Sequence, residues 1–256
     1  MKLCLDVGNS HIYGGVYKSG KVLLTFRKAS KLGSSSDEYG LFFRSVLREN
    51  EIDPDQVAGI ALCSVVPEAV YAISAACQKY FDMPPFILQP GVKTGLKIEY
   101  RNPLEVGSDR IANAIGGSGL FPDQNLIIVD LGTATTLCVV GKERSYRGGV
   151  ILPGLKMSMQ ALESGTSKLG SVEILRKEVC LGRTTASSIQ SGLYFGHLGA
   201  LREIMHRIQL EEFDGQRPKV IATGGFATLF GGTGLFDQVV QDLVLRGLLS
   251  VLEMNP

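Results

Sequence analysis

Two carboxylates in this chain stand where an apolar run ends and the backbone must turn. Leu3-Cys-Leu-Asp-Val-Gly-Asn-Ser-His-Ile-Tyr13 and Leu126-Ile-Ile-Val-Asp-Leu-Gly-Thr-Ala-Thr-Thr136 share one layout, so that Asp6 matches Asp130 and Gly8 matches Gly132. The offset is about half of the 256 residues. A strand that ends in Asp-x-Gly and turns straight into a second strand presents backbone amides, with Asn9, Ser10, Thr133 and Thr135 beside them, that can wrap phosphate oxygens without interference from a Cβ. Each aspartate can also hold a hydrated hard cation bridging those phosphates, because such ions prefer oxygen ligands. One Asp-x-Gly is an ordinary β-turn. Two of them, both heading a hairpin, point to nucleotide phosphates.

A third signal is Val220-Ile-Ala-Thr-Gly-Gly-Phe226, a buried strand running into Thr223-Gly224-Gly225, where a base or ribose can lie against bare backbone. Other motifs fail on context. Gly15-Val-Tyr-Lys-Ser-Gly-Lys21 resembles a P-loop, but Val22 replaces the Ser/Thr and the segment is a hairpin turn with no helix after it. The glycine runs at 116–119 and 231–234 lack the third glycine and the preceding strand of a dinucleotide fingerprint. His11 reads as a turn or strand-face residue, His197 and His206 as part of an amphipathic helix in the core or at a dimer interface. No zinc spacing or Ser-His-Asp arrangement is visible.

The elements that must position these groups form a repeated plan. Strands are expected at 2–7, 12–17 and 22–27, a serine-capped helix from Ser36, a buried strand at 58–66, a helix from Pro67 to about Tyr80, and a strand at 85–89. Asp109 opens a short helix to Ile115. The second half repeats with strands at 126–131, 134–140 and 146–151, a helix from about 188 to 210, a strand at 219–222 and a last helix over 239–253. Hairpins followed by alternating helices and strands indicate an α/β protein of two domains, 1–117 and 118–256, each a mixed sheet flanked by helices, with a cleft between them.

Composition narrows the partners. A net charge of +1 gives no electrostatic case for nucleic acid or an anionic membrane. No apolar run approaches the roughly 18 residues of a membrane span, and the N-terminus is too short for a secretory leader, so a cytoplasmic protein is expected. The five scattered cysteines read as reduced core residues.

Taken together, Asp6-Val-Gly-Asn-Ser10, Ser64-Val-Val-Pro67, Gly107-Ser-Asp-Arg110 with Ile-Ala-Asn113, Asp130-Leu-Gly-Thr-Ala-Thr-Thr136, Gly148-Gly-Val-Ile-Leu-Pro-Gly154, Gly182-Arg-Thr-Thr185 and Ala222-Thr-Gly-Gly225 resemble, in order, the blocks of type III pantothenate kinase. That family lies in the acetate and sugar kinase, heat-shock 70 and actin superfamily of paired ribonuclease-H-like (actin-like ATPase) domains. The sequence departs slightly from the family's pattern at Ser10, Thr184 and Lys168-Leu-Gly170. The resemblance implies transfer of the γ-phosphate of ATP to the primary hydroxyl of pantothenate, the first step toward coenzyme A. It implies Asp109 as the base, with Tyr100, Gly107, Ser108, Arg110 and Thr185 at pantothenate, Thr185 reaching it from the neighbouring subunit of a homodimer. Asp109 opens a helix whose positive end is expected to keep it ionised, and Arg110 suits the substrate's carboxylate or a phosphate. ATP with Mg²⁺ would meet Asp6, Val7, Gly8, Asn9, Ser10, His11, Ile12, Tyr13 and Thr133, with Thr223, Gly224 and Gly225 near the adenosine. Asp130 corresponds to a ligand of a monovalent cation, K⁺ or NH₄⁺, although its symmetry with Asp6 equally suits Mg²⁺. A nucleotide-switched regulator of the actin type has no need of a base such as Asp109.

Overall fold

The computed structural model describes residues 1–31 and 33–255. Two compact units emerge, one of Met1–Phe121 with the segment from Asp242 onward, the other of Pro122–Gln241.

In the first unit, β1 (Lys2–Val7), β2 (His11–Lys18) and β3 (Lys21–Ala29) form an antiparallel meander. Helix α1 (Ser36–Arg48) follows, then β4 (Ile60–Ser64), α2 (Pro67–Phe81) and β5 (Phe86–Ile87). β4 lies parallel to β1 and β5 parallel to β4, giving the order β3-β2-β1-β4-β5. The central strand β1 has sheet on both edges and helices over it, so Leu3, Leu5 and Val7 are buried with Phe43, Leu47, Leu62 and Ile73. A fully buried aliphatic side chain contributes about 1.5–3 kcal/mol, so this cluster fixes which face of β1 Asp6 occupies. Helix α1 is capped by Ser35, whose hydroxyl accepts from the Glu38 amide at 3.2 Å while the Glu38 carboxylate accepts from Ser35 N at 2.7 Å. Pro67 occupies the first turn of α2, where its missing N–H costs nothing. A two-residue strand β6 (Lys97–Ile98) and helix α3 (Ser108–Leu120) complete the first part of the chain.

The second unit repeats the wiring. Strands β7 (Leu126–Leu131), β8 (Ala134–Val140) and β9 (Ser145–Pro153) form the meander, followed by α4 (Leu155–Gly165), the long α5 (Thr185–Glu212), β10 (Lys219–Thr223) and β11 (Gln238–Val239). β10 pairs parallel to β7 and β11 parallel to β10, so five strands of this six-stranded sheet, β9-β8-β7-β10-β11, reproduce the order of the first. Ile127, Val129 and Leu131 pack with Leu193, Leu201, Met205 and Phe230.

The division of the chain differs from the expected 1–117 and 118–256. The last helix, α6 (Leu243–Met254), packs on α3 in the first unit. The approach requires glycine from both helices: a Cβ on Gly116 would strike Leu243 O and one on Gly247 would strike Ala112 O. The helix also begins later than expected, because Gln238 and Val239 belong to β11. Side-chain bonds lock its start, where Tyr17 Oη donates to Asp242 Oδ2 at 3.0 Å and Arg246 Nε donates to Asp242 Oδ1 at 2.9 Å.

Candidate active site

In the first unit Asp6 is the penultimate residue of β1, and the chain turns through Gly8, Asn9 and Ser10 into β2. Gly8 N donates to His11 O at 3.0 Å, closing the turn. Ser30, just past β3, holds it from outside: its hydroxyl donates to Gly8 O at 2.6 Å and its amide to Ser10 O at 2.9 Å. Val7, Ile12 and Tyr13 are buried in the sheet, so this stretch offers chiefly its backbone and the Asn9 and Ser10 side chains to a ligand. His11 is exposed on the rim.

Asp109 reaches the same end of the sheet through a clasp between β4 and α3. Ser108 Oγ donates to Ser64 O at 3.1 Å and accepts from Ser64 N at 3.2 Å, pinning the first residue of α3 to the last of β4. Gly107 is the helix cap, and a Cβ there would lie 2.6 Å from Asp109 Oδ1. Asp109 is therefore inside the first turn, not its cap, and its Oδ1 accepts the Arg110 amide at 2.8 Å. Between the two carboxylates lies Cys63, wholly buried, whose thiol donates to Asp6 Oδ1 at 3.2 Å. Burial, then the charges of Asp6 and Asp109, push the Cys63 thiol well up, so it is a neutral donor.

Burial acts on Asp109 in the opposite sense to its helix position. Burial raises its pKa above the ordinary carboxylate value, outweighing the Arg110 amide and the Arg110 charge that pull it down. Arg110 is itself only 6% exposed, which rules out a role as a surface ion pair. Tyr100 lies half-buried in a bend after β6, not within a strand.

In the second unit Asp130 occupies the register of Asp6. It faces Thr223 on β10, as Asp6 faces Cys63 on β4. Gly132 N donates to Ala134 O at 3.1 Å, closing a shorter turn in which Thr133 is exposed. Gly224 runs tight against this loop, with φ of +90° and a Cβ position only 2.5 Å from Asp130 Oδ1. Glycine alone fits there. Thr223 is buried, its hydroxyl 3.5 Å from Gln241 O, and Gly225 is open to solvent. The α5 cap is Thr184, which accepts the Ser187 amide at 3.1 Å; Thr185 is the first helical residue and exposed. His197 is core: it stacks on Phe230, its Nε2 lies 3.0 Å from Thr135 Oγ1, and burial lowers its pKa. Four cysteines are buried as expected, but Cys180 is exposed, in the irregular segment before α5.

A model of type III pantothenate kinase matches residues 2–207. The chain is also 54% identical to the type III pantothenate kinase of Legionella pneumophila strain Corby, over 100% of this chain and 99% of that one. The chain belongs to the type III pantothenate kinase family. A second relative, type III pantothenate kinase 1 of Francisella tularensis subsp. holarctica, is 44% identical over the whole of both chains. Like its family, the protein is an ATP-dependent kinase that phosphorylates pantothenate in coenzyme A biosynthesis. A ROK hexokinase from Thermus thermophilus shares the fold, with a TM-score of 0.52 and 13% identity over 98% of this chain and 97% of that one. What the two share is the architecture, mixed sheets flanked by helices. Ser30, Cys63 and the Ser64–Ser108 clasp escaped the sequence reading, because hydrogen bonds between residues 22 to 57 apart leave no local pattern.

Proposed function

We propose that Asp109 accepts the proton of pantothenate's primary hydroxyl as that oxygen attacks the γ-phosphorus of ATP. The observation that carries this is the Ser64–Ser108 clasp, which sets the Asp109 carboxylate at the strand ends where Asp6 also stands. An ionised carboxylate whose pKa is raised by burial is a better proton acceptor than an ordinary one. Arg110 pairs with the substrate's carboxylate, its buried fork giving two parallel donors. Tyr100, Gly107 and Ser108 line the rest of the pantothenate site.

For ATP we assign Asp6 to Tyr13 and Thr133 to the phosphates, and Thr223, Gly224 and Gly225 to the adenosine. The donor set at Asp6 suits Mg²⁺ carried in with ATP. Asp6 would hold this ion through its carboxylate, an oxygen ligand of the kind Mg²⁺ prefers. Mg²⁺ bound with the nucleotide supplies charge neutralisation on the transferring phosphate. To Asp130 we assign a monovalent ion such as K⁺ or NH₄⁺, a reading supported by the family the chain belongs to.

The enzyme acts as a homodimer in the cytoplasm. Among the described residues no helix is long and apolar enough to cross a membrane. Val179 and Leu181 are 69% and 72% exposed just before α5, and Thr185 is exposed beside them, so pairing two copies here covers apolar surface and brings Thr185 to the partner's pantothenate. The test is phosphoryl transfer with and without pantothenate, in potassium and in sodium. ATP consumption that ignores pantothenate contradicts the assignment.

A further inference from the structure

We propose that Cys63 is a positioning residue for the reaction, fixing the Asp6 carboxylate in the orientation in which it meets Mg-nucleotide. This rests on the role given to Asp6 above. Parallel pairing of β1 and β4 places Cys63 directly beside Asp6, on the same face of the sheet. The Cys63 side chain has no solvent exposure, and its Sγ donates to Asp6 Oδ1 at 3.2 Å. The β4 residues before it, Ile60-Ala-Leu, are buried and apolar, so volume alone would be satisfied by another aliphatic residue. What the thiol adds is a donor aimed at a carboxylate, and a hydrogen bond to an ionised acceptor restrains it more than a neutral pair would.

The residue facing the aspartate differs in the second unit. At the matching register Asp130 faces Thr223, whose hydroxyl turns instead toward Gln241 O at 3.5 Å. The two strand-end aspartates, alike in sequence, are therefore held differently. Outer partners that orient a metal-binding carboxylate contribute to affinity without touching the ion. Cys63 is such a partner, and it makes no contact with substrate.

The test is calorimetric titration of Mg-ADP and of metal-free ADP into the full-length protein, as wild type, Cys63→Ala, Cys63→Val and Cys63→Ser. The variants lacking a donor are expected to bind Mg-ADP about tenfold more weakly, and the serine variant to stay within about twofold of wild type. Metal-free ADP is expected to bind all four alike, and KM for ATP to rise in the alanine variant with KM for pantothenate unchanged. In an Asp6→Asn background the alanine substitution should add no further loss, since the two residues act as one unit. The valine variant serves if alanine fails to fold. Wild-type affinity for Mg-ADP in a folded donor-less variant, equal losses in the serine and alanine variants, or additive losses with Asp6→Asn would each overturn the proposal. Absence of pantothenate phosphorylation by the wild type would instead overturn the functional assignment, and the Mg-ADP comparison reads out independently of it.

Discussion

Asp109→Asn keeps the shape and the acceptor for the Arg110 amide while removing the proton acceptor, so kcat is expected to fall about 10²- to 10⁴-fold with KM for ATP little changed. Because burial raises the Asp109 pKa, the acid limb of kcat/KM should lie above the ordinary value of 3.8, activity climbing as pH rises through it. The same shift has a stability sign. Between 3.8 and the raised value the folded state binds more protons than the unfolded, so stability falls as pH rises through that window and stays lower above it. Asp109→Asn is therefore expected to melt no lower than wild type at neutral pH, and a large drop in its Tm would contradict the stated cause. Arg110→Lys, which keeps the charge but loses the planar fork, should raise KM for pantothenate about tenfold or more while leaving KM for ATP near wild type, as steady-state kinetics would show. At this scale the Asp-x-Gly pair and Gly107-Ser-Asp-Arg110 were legible because the chemistry resides in adjacent residues. The Asp109 protonation balance was not, since helix position is local and burial depends on how β4 and α3 dock.

The elements were legible in proportion to their length and periodicity. The two meanders, α2 and α5 follow from apolar alternation, the Pro67 signal and the 3.6-residue period, and lie close to the expected ranges. Two-residue strands such as β5 and β11 have too few residues to show a period, and β11 was absorbed into the following helix. The apolar face of α6 announced burial without naming its partner, so its return to α3 was hidden. That packing makes a prediction: Gly247→Ala forces a methyl group into the Ala112 carbonyl and should destabilise the first unit by about 1–3 kcal/mol. Thermal melts of the two proteins would show it. An unchanged Tm would mean that α3 and α6 can part without cost.

For the whole molecule, the half-length repeat predicted duplication, and five strands of the six-stranded second sheet repeat the order of the first, with the same aspartate register. The division of labour proposed for the two copies was less visible, since the residues facing Asp6 and Asp130, Cys63 and Thr223, are distant in sequence. Substituting Asp130 with Asn should weaken the response to potassium while sparing the binding of Mg-ADP, and sedimentation should give a dimer whose mass falls to a monomer when Leu181 and Val179 are changed to charged residues. The role of Asp109 as the base in phosphoryl transfer to an alcohol is decided by following phosphopantothenate formation from ATP with wild-type protein and with Asp109→Asn. Product that depends on pantothenate is expected for the wild type, with a loss of about a hundredfold or more in the variant; full transfer activity in Asp109→Asn would rule Asp109 out as the base.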